Sequence, residues 1–236
     1  MRRQPARLSD SLSHRLNSYA LAASAAGVGA LALSLPAQAK VVYHPVHHMI
    51  GTGRHYRLDL NQDGAPDFLI VNSSTNWNTY YAFRTLQARP ANLSNAVGLR
   101  AVGEESLALA LKPGARIGSN HSIFFYGQVA NMVEIASNRC ISSCTRGYWA
   151  GVSNRYLGLL FEIHGKVHYG WARLSVEIGR PLQLAVTLTG YAYETVPNKP
   201  IIAGKTKGPD VITVQPGTLG QLAHGAAAIP TWRTKQ

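Results

Sequence analysis

Between Leu58 and Phe68 the chain reads "DLNQDGAPD": Asp59, Asn61 and Asp63 stand at alternate positions, Gly64 follows, and Asp67 closes the run. Calcium, a hard cation, takes six to eight oxygens, and this spacing supplies them in loop order. Counted from Asp59, side chains come at positions 1, 3 and 5, Gly64 allows the sharp turn at 6, the Ala65 carbonyl falls at 7 and Asp67 at 9. An EF-hand would need a bidentate Glu at position 12, where this chain has Ile70, and both flanks read as strands. Three carboxylates packed this closely repel one another without a cation, so the spacing predicts one bound calcium ion (Ca2+) between two strands. The alternative is an Asx-rich turn that serves only its own backbone.

Other residue types could carry chemistry, each with a plainer reading beside it. His44, His47, His48 and His55 lie close together in "YHPVHHMIGTGRH", and imidazoles can hold zinc or copper. On a strand His47 and His48 face opposite ways, which favours a solvated or packed set. "SSTNWNTYYAF" offers Trp77, Tyr80 and Tyr81 among asparagines, either a sugar-binding surface or a turn leading into a half-buried strand. Cys140 and Cys144 are the only two cysteines. In an oxidising compartment they are expected to close a small disulfide loop, since C-x-x-x-C is neither the redox spacing nor half of a zinc site with a second pair. Glycosidase chemistry needs two carboxylates across a cleft, and spacing selects no pair among Glu104, Glu105, Glu134, Glu162, Glu177, Glu194 and Asp210. The G-x-S-x-G and H-E-x-x-H motifs and a phosphate-cradling glycine loop do not occur in the sequence.

These residues must be carried by short strands. Residues 1–39 read as a secretory signal peptide: four arginines precede an apolar run of small residues, and Ala37 and Ala39 form a cleavage pattern before Lys40. A retained membrane anchor is the alternative. The 23 basic and 11 acidic residues give +12. Without the four arginines and Asp10 of the leader, the mature chain keeps +9. That surplus favours an anionic polymer or surface, such as a polysaccharide, as partner. The basic residues are scattered, with no run and no recognisable nucleic-acid module, so nucleic acid is not expected.

From Lys40 onward, β-branched and aromatic runs broken by Gly, Asn and Pro predict strands at 40–46, 54–60, 67–72, 78–84, 123–127, 155–163, 167–177 and 182–194. "GEESLALALKPGARIG" is either a short helix starting at Glu104 or a strand ended by Lys112-Pro113-Gly114. His164-Gly165 suits a two-residue hairpin turn, which makes opposed residue numbers sum to 329: Tyr156 against Arg173, Gly158 under Trp171, Phe161 against His168. The expected architecture is all-β: one antiparallel sandwich-like domain over 40–203 with a C-terminal hairpin meander. Residues 204–236 are expected to form a linker and a flexible or short helical tail, too short and too interrupted to span a bilayer.

"LDLNQDGAPDF", "NRYLGLLFEIHGKVHYGWARLSV" and "LTGYAYETVPNKPIIAG", with the leader, resemble a group of uncharacterised exported bacterial β-rich proteins. The hairpin motif is also similar to β-domains of exported proteins that end in a C-terminal sorting anchor. This chain departs from the anchored pattern because its last residues lack a full apolar span. The resemblance implies location, not a reaction, and lends no catalytic residues. The expected function is therefore an exported, non-enzymatic β-domain, structural or adhesive, stabilised by calcium. A carbohydrate-binding module and a hydrolase of unknown type are the alternatives.

Overall fold

Leu184, Val186 and Leu188 are buried while Gln183 and Ala185 are exposed, the two-residue period of a strand with one face on a core. The computed structural model describes residues 40–76, 82–102, 105–119, 124–136, 144–179 and 183–214. Trp77, Tyr80, Tyr81, Cys140 and the leader lie outside them, and with Cys140 the expected disulfide to Cys144.

In chain order the strands are β1 (Val41–Ile50), β2 (Arg54–Leu58), β3 (Phe68–Asn76), β4 (Ala82–Pro90), β5 (Ala96–Val102), β6 (Glu105–Ala108), β7 (Arg116–Ile117), β8 (Phe124–Tyr126), β9 (Ala130–Ala136), β10 (Cys144–Arg146), β11 (Val152–Ile163), β12 (Lys166–Gly179), β13 (Gln183–Glu194), β14 (Ile201–Ile202) and β15 (Val211–Thr213). The domain is all-β. One long sheet runs β15-β1-β13-β12-β11-β5-β6-β9-β4-β3-β2, and β7 with β14 forms a separate two-stranded sheet.

Strand β5 turns the sheet back on itself. Its first residues, Ala96 and Val97, pair with Leu160 and Leu159 of β11, whereas Leu99–Val102 pair with β6. The two halves therefore face each other across one core, in which Leu58, Phe68, Ile70 and Leu86 of one half meet Leu157, Phe161, Leu174 and Val186 of the other. The result is sandwich-like, as expected from the strand pattern. It is not purely antiparallel. β1 with β15 and β6 with β9 run parallel, because each pair is joined by a long excursion of the chain rather than by a turn.

The hairpin register is the one read from the turn: Tyr156 opposes Arg173, Gly158 opposes Trp171 and Phe161 opposes His168. His164 and Gly165 both have positive φ, 51° and 71°, the conformation a two-residue turn of this hand requires. Trp171 stands opposite Gly158 in this register, and two further side chains crowd the glycine. A Cβ on that glycine would meet Leu111 Cδ1 at 3.3 Å and Ile117 at 3.7 Å. The indole packs against Tyr43 and Tyr156, with ring centroids 5.8 and 5.1 Å away. Arg173, opposite Tyr156, is tied to β13. Its guanidinium donates to Thr189 Oγ1 at 2.7 Å and to the Thr189 carbonyl at 2.9 Å. Trp171, Tyr43, Tyr156, Leu160 and Ile201 make a second apolar cluster on the outer face of the meander.

Residues 105–108 settle the ambiguous segment as a strand. Ordered structure also continues past residue 203, the expected end of the domain. Val211–Thr213 add to β1. Three β-branched residues inside a polar stretch carry too short an apolar signal to mark a strand in sequence.

Candidate functional site: the loop between β2 and β3

Leu58 opposes Phe68 at the mouth of the hairpin, so residues 59–67 form the connecting loop. This is the strand-loop-strand setting that the sequence predicts. Both neighbours of Asp59, Leu58 and Leu60, are fully buried, and they fix where that carboxylate leaves the sheet. The other end is tied down by Asp67, whose N–H donates to the Leu58 carbonyl at 2.8 Å. Its own carbonyl accepts from Ala91 N–H and from Asn95 Nδ2, both at 2.9 Å. Gln62 and Gly64 take positive φ, 58° and 93°, which tightens the turn between these anchors.

Inside the loop the carboxylates serve backbone amides. Asp59 accepts from Gly64 N–H at 2.8 Å and from Asp63 N–H at 3.3 Å. Asp63 accepts from Ala65 N–H and from Asn61 Nδ2, both at 2.9 Å, and these donors hold its carboxyl below the usual carboxylate range. Asp67 Oδ2 accepts from Leu60 N–H at 2.8 Å. Among the described residues, no group of three or more His, Cys, Asp or Glu is gathered as a metal cluster. One acceptor is left over: Asn61 Oδ1 is buried with no donor. Each carboxylate oxygen also has lone pairs beyond the amides it serves.

Asp67 is the strained member. Only 8 % exposed, it has its pKa pushed up to about 7, chiefly by burial, with Asp59 and Asp63 adding repulsion against the Leu60 hydrogen bond. The folded chain therefore holds a proton that the unfolded chain, with a value near 3.8, releases. Stability from this group is full below about pH 4 and is lost as pH rises to about 7. In calcium-free buffer the melting temperature should fall by several degrees between those limits, and Asp67→Asn should flatten the slope. An unchanged slope in that variant would remove Asp67 as its source.

A neighbour that the sequence did not single out completes the wall of the loop. Gln62 Nε2 lies 3.0 Å from His44 Nδ1 and donates to the Tyr191 hydroxyl at 3.3 Å, and His44 stacks on Tyr191 at 4.8 Å. Burial lowers the His44 pKa against the opposing pull of Asp59. The four histidines expected to be solvated or packed divide accordingly: His44 is buried, while His47, His48 and His55 are exposed. A register shift between Pro45 and His48 brings both His47 and His48 to the surface.

Among the described residues, two acids outside the loop converge. Glu194 and Asp210 line a groove of about 420 Å³, but Lys199 sits 3.4 Å from Glu194 and Lys205 pairs with Asp210. The lysine holds the Asp210 carboxyl below its usual range, the opposite of what a general acid needs. Among the described residues no helix is long and apolar enough to cross a membrane. No protein-family model, no curated protein and no solved structure matches the chain.

Proposed function

We propose that the chain is an exported, non-enzymatic β-domain, structural or adhesive, whose 59–67 loop is stabilised by one calcium ion. The observation that carries the calcium reading is the surplus of oxygen in a fixed loop. The buried Asn61 Oδ1 lacks a donor, and burial with the repulsion of Asp59 and Asp63 raises the Asp67 pKa to about 7. Asp59, Asn61, Asp63, Asp67 and the Ala65 carbonyl are the oxygens that would hold the ion. A divalent cation would relieve their repulsion and lower the Asp67 pKa. Export is supported by the leader pattern of residues 1–39, and an anionic partner by the +9 that remains after it.

A site of the extracellular class should have Kd of about 10⁻⁴–10⁻³ M. At about 2 mM calcium, mass action then gives roughly 0.6–1.8 kcal/mol of stabilisation. The melting temperature should rise by about 1–7 °C over a chelator-treated sample, with magnesium doing less. Asp63→Ala should abolish the shift, and Glu177→Ala, exposed at the far end of β12, should leave it intact. Equal melting in calcium and chelator, with no heat of binding at millimolar ion, would reduce the loop to a turn.

A further inference from the structure

A groove of about 240 Å³ lies on another face of the domain, lined by Leu109, Leu111, Lys112, Tyr148, Val152 and Arg155. Its walls are held by backbone. Leu111 and Tyr156 exchange two hydrogen bonds, 2.9 and 3.0 Å, which pin the 109–112 segment to β11 beside Arg155. The Tyr148 wall is pinned to β9, where Trp149 N–H donates to the Met132 carbonyl at 3.2 Å. At Gly147, φ is 96° and a Cβ would stand 2.2 Å from that same carbonyl, so only glycine lets the segment come this close. Tyr148 is thereby presented 39 % exposed on a fixed support.

The chemistry of the lining is one-sided. Two cations and an aromatic ring stand over an apolar floor of leucine and valine, and no acid contributes. Among the described residues neither Arg155 nor Lys112 has an ion-pair partner, unlike Lys199 and Lys205 on the mixed groove. We propose that this groove binds an acidic saccharide: a uronate ring lies on Tyr148 while its carboxylate is held by Arg155 and Lys112. A sugar ring has an apolar C–H face that suits an aromatic side chain, and a ring-borne carboxylate matches the planar fork of arginine. The groove is sized for one ring rather than for a drug-sized ligand. The proposal rests on the reading of the chain as an exported domain that meets anionic polymers. It does not depend on calcium.

Calorimetric titration of the intact protein with trigalacturonate, and with the neutral galactotriose of the same linkage, tests it. At about 50 mM salt the acidic trisaccharide should bind at least about ten-fold more tightly, and the preference should shrink at about 500 mM. Arg155→Gln and Tyr148→Ala should each weaken it by about ten-fold, while Tyr148→Phe, which keeps the ring, should stay within about three-fold. Asp63→Ala should leave the affinity unchanged, so loss of the calcium reading and loss of this site are separable. No binding at millimolar trigalacturonate, equal affinity for the neutral sugar or for adenosine monophosphate, or Arg155→Gln and Tyr148→Ala proteins that melt normally and bind as before would overturn it.

Discussion

Trp171→Ala should destabilise the protein by about 3–5 kcal/mol, the range for removing a large aromatic side chain from a core that cannot collapse around the gap. The indole is fully buried, tilted against Tyr43 and nearly perpendicular to Tyr156. It belongs to the outer cluster, where β7, β14 and the residues around Ala203 cover the meander. Removing it undermines the packing of these short covering strands as well as its own. Trp171→Phe separates packing from polarity: the indole Nε1 has no hydrogen-bond partner, so phenylalanine should lose only volume, about 1–2 kcal/mol. Urea denaturation measures both, and a loss under about 1 kcal/mol in the alanine variant would mean that the cluster contributes little.

The second large effect is expected at Asn72, in the middle of β3. The side chain is fully buried, and its Nδ2 donates to the Ile50 carbonyl at 2.9 Å and to the Leu184 carbonyl at 3.1 Å. One amide thus joins β3 in one half of the sheet to β1 and β13 in the other, at the side opposite the shared strand β5. Asn72→Leu keeps the volume but removes the side-chain donor from two carbonyls, at about 1–3 kcal/mol each, for a loss of about 2–6 kcal/mol. Asn72→Asp should be at least as damaging, because a carboxylate cannot donate and would be desolvated. If Asn72→Leu unfolds at the same urea concentration as the parent, another group closes this side.

The hairpin of β11 and β12 was legible because turn chemistry and the two-residue period are local. His164-Gly165 sets the register, and every pair from Tyr156–Arg173 to Phe161–His168 follows from it. The 59–67 loop was legible for the same reason, as its donors lie within nine positions and its flanks pair directly. What sequence could not show is which distant surfaces share a space. Leu111 and Ile117, from a segment about forty residues away, crowd the space at Gly158, which no local pattern announces. β5 and β9 escaped notice because small and polar residues, Gly98, Asn131 and Glu134, break their apolar runs. The groove at Tyr148 and Arg155 had no sequence signal. Lys112 reaches it only through the bridge between Leu111 and Tyr156.

The position of β1 also sets a timetable. It is flanked by β13 and β15, so Val41 waits for Glu194 on one side and for Val211 on the other. A chain that emerges from a ribosome or a translocation channel with its amino end first must make some 150 residues before its first strand has anywhere to pair. Until then Val41, Tyr43 and Ile50 are uncovered, and the closure entropy of a long loop still has to be met. Such order favours slow, late folding of the whole unit over stepwise folding during synthesis. A chain that stays extended in that interval remains threadable through a narrow channel, while a holding partner on its apolar segments would keep it from aggregating.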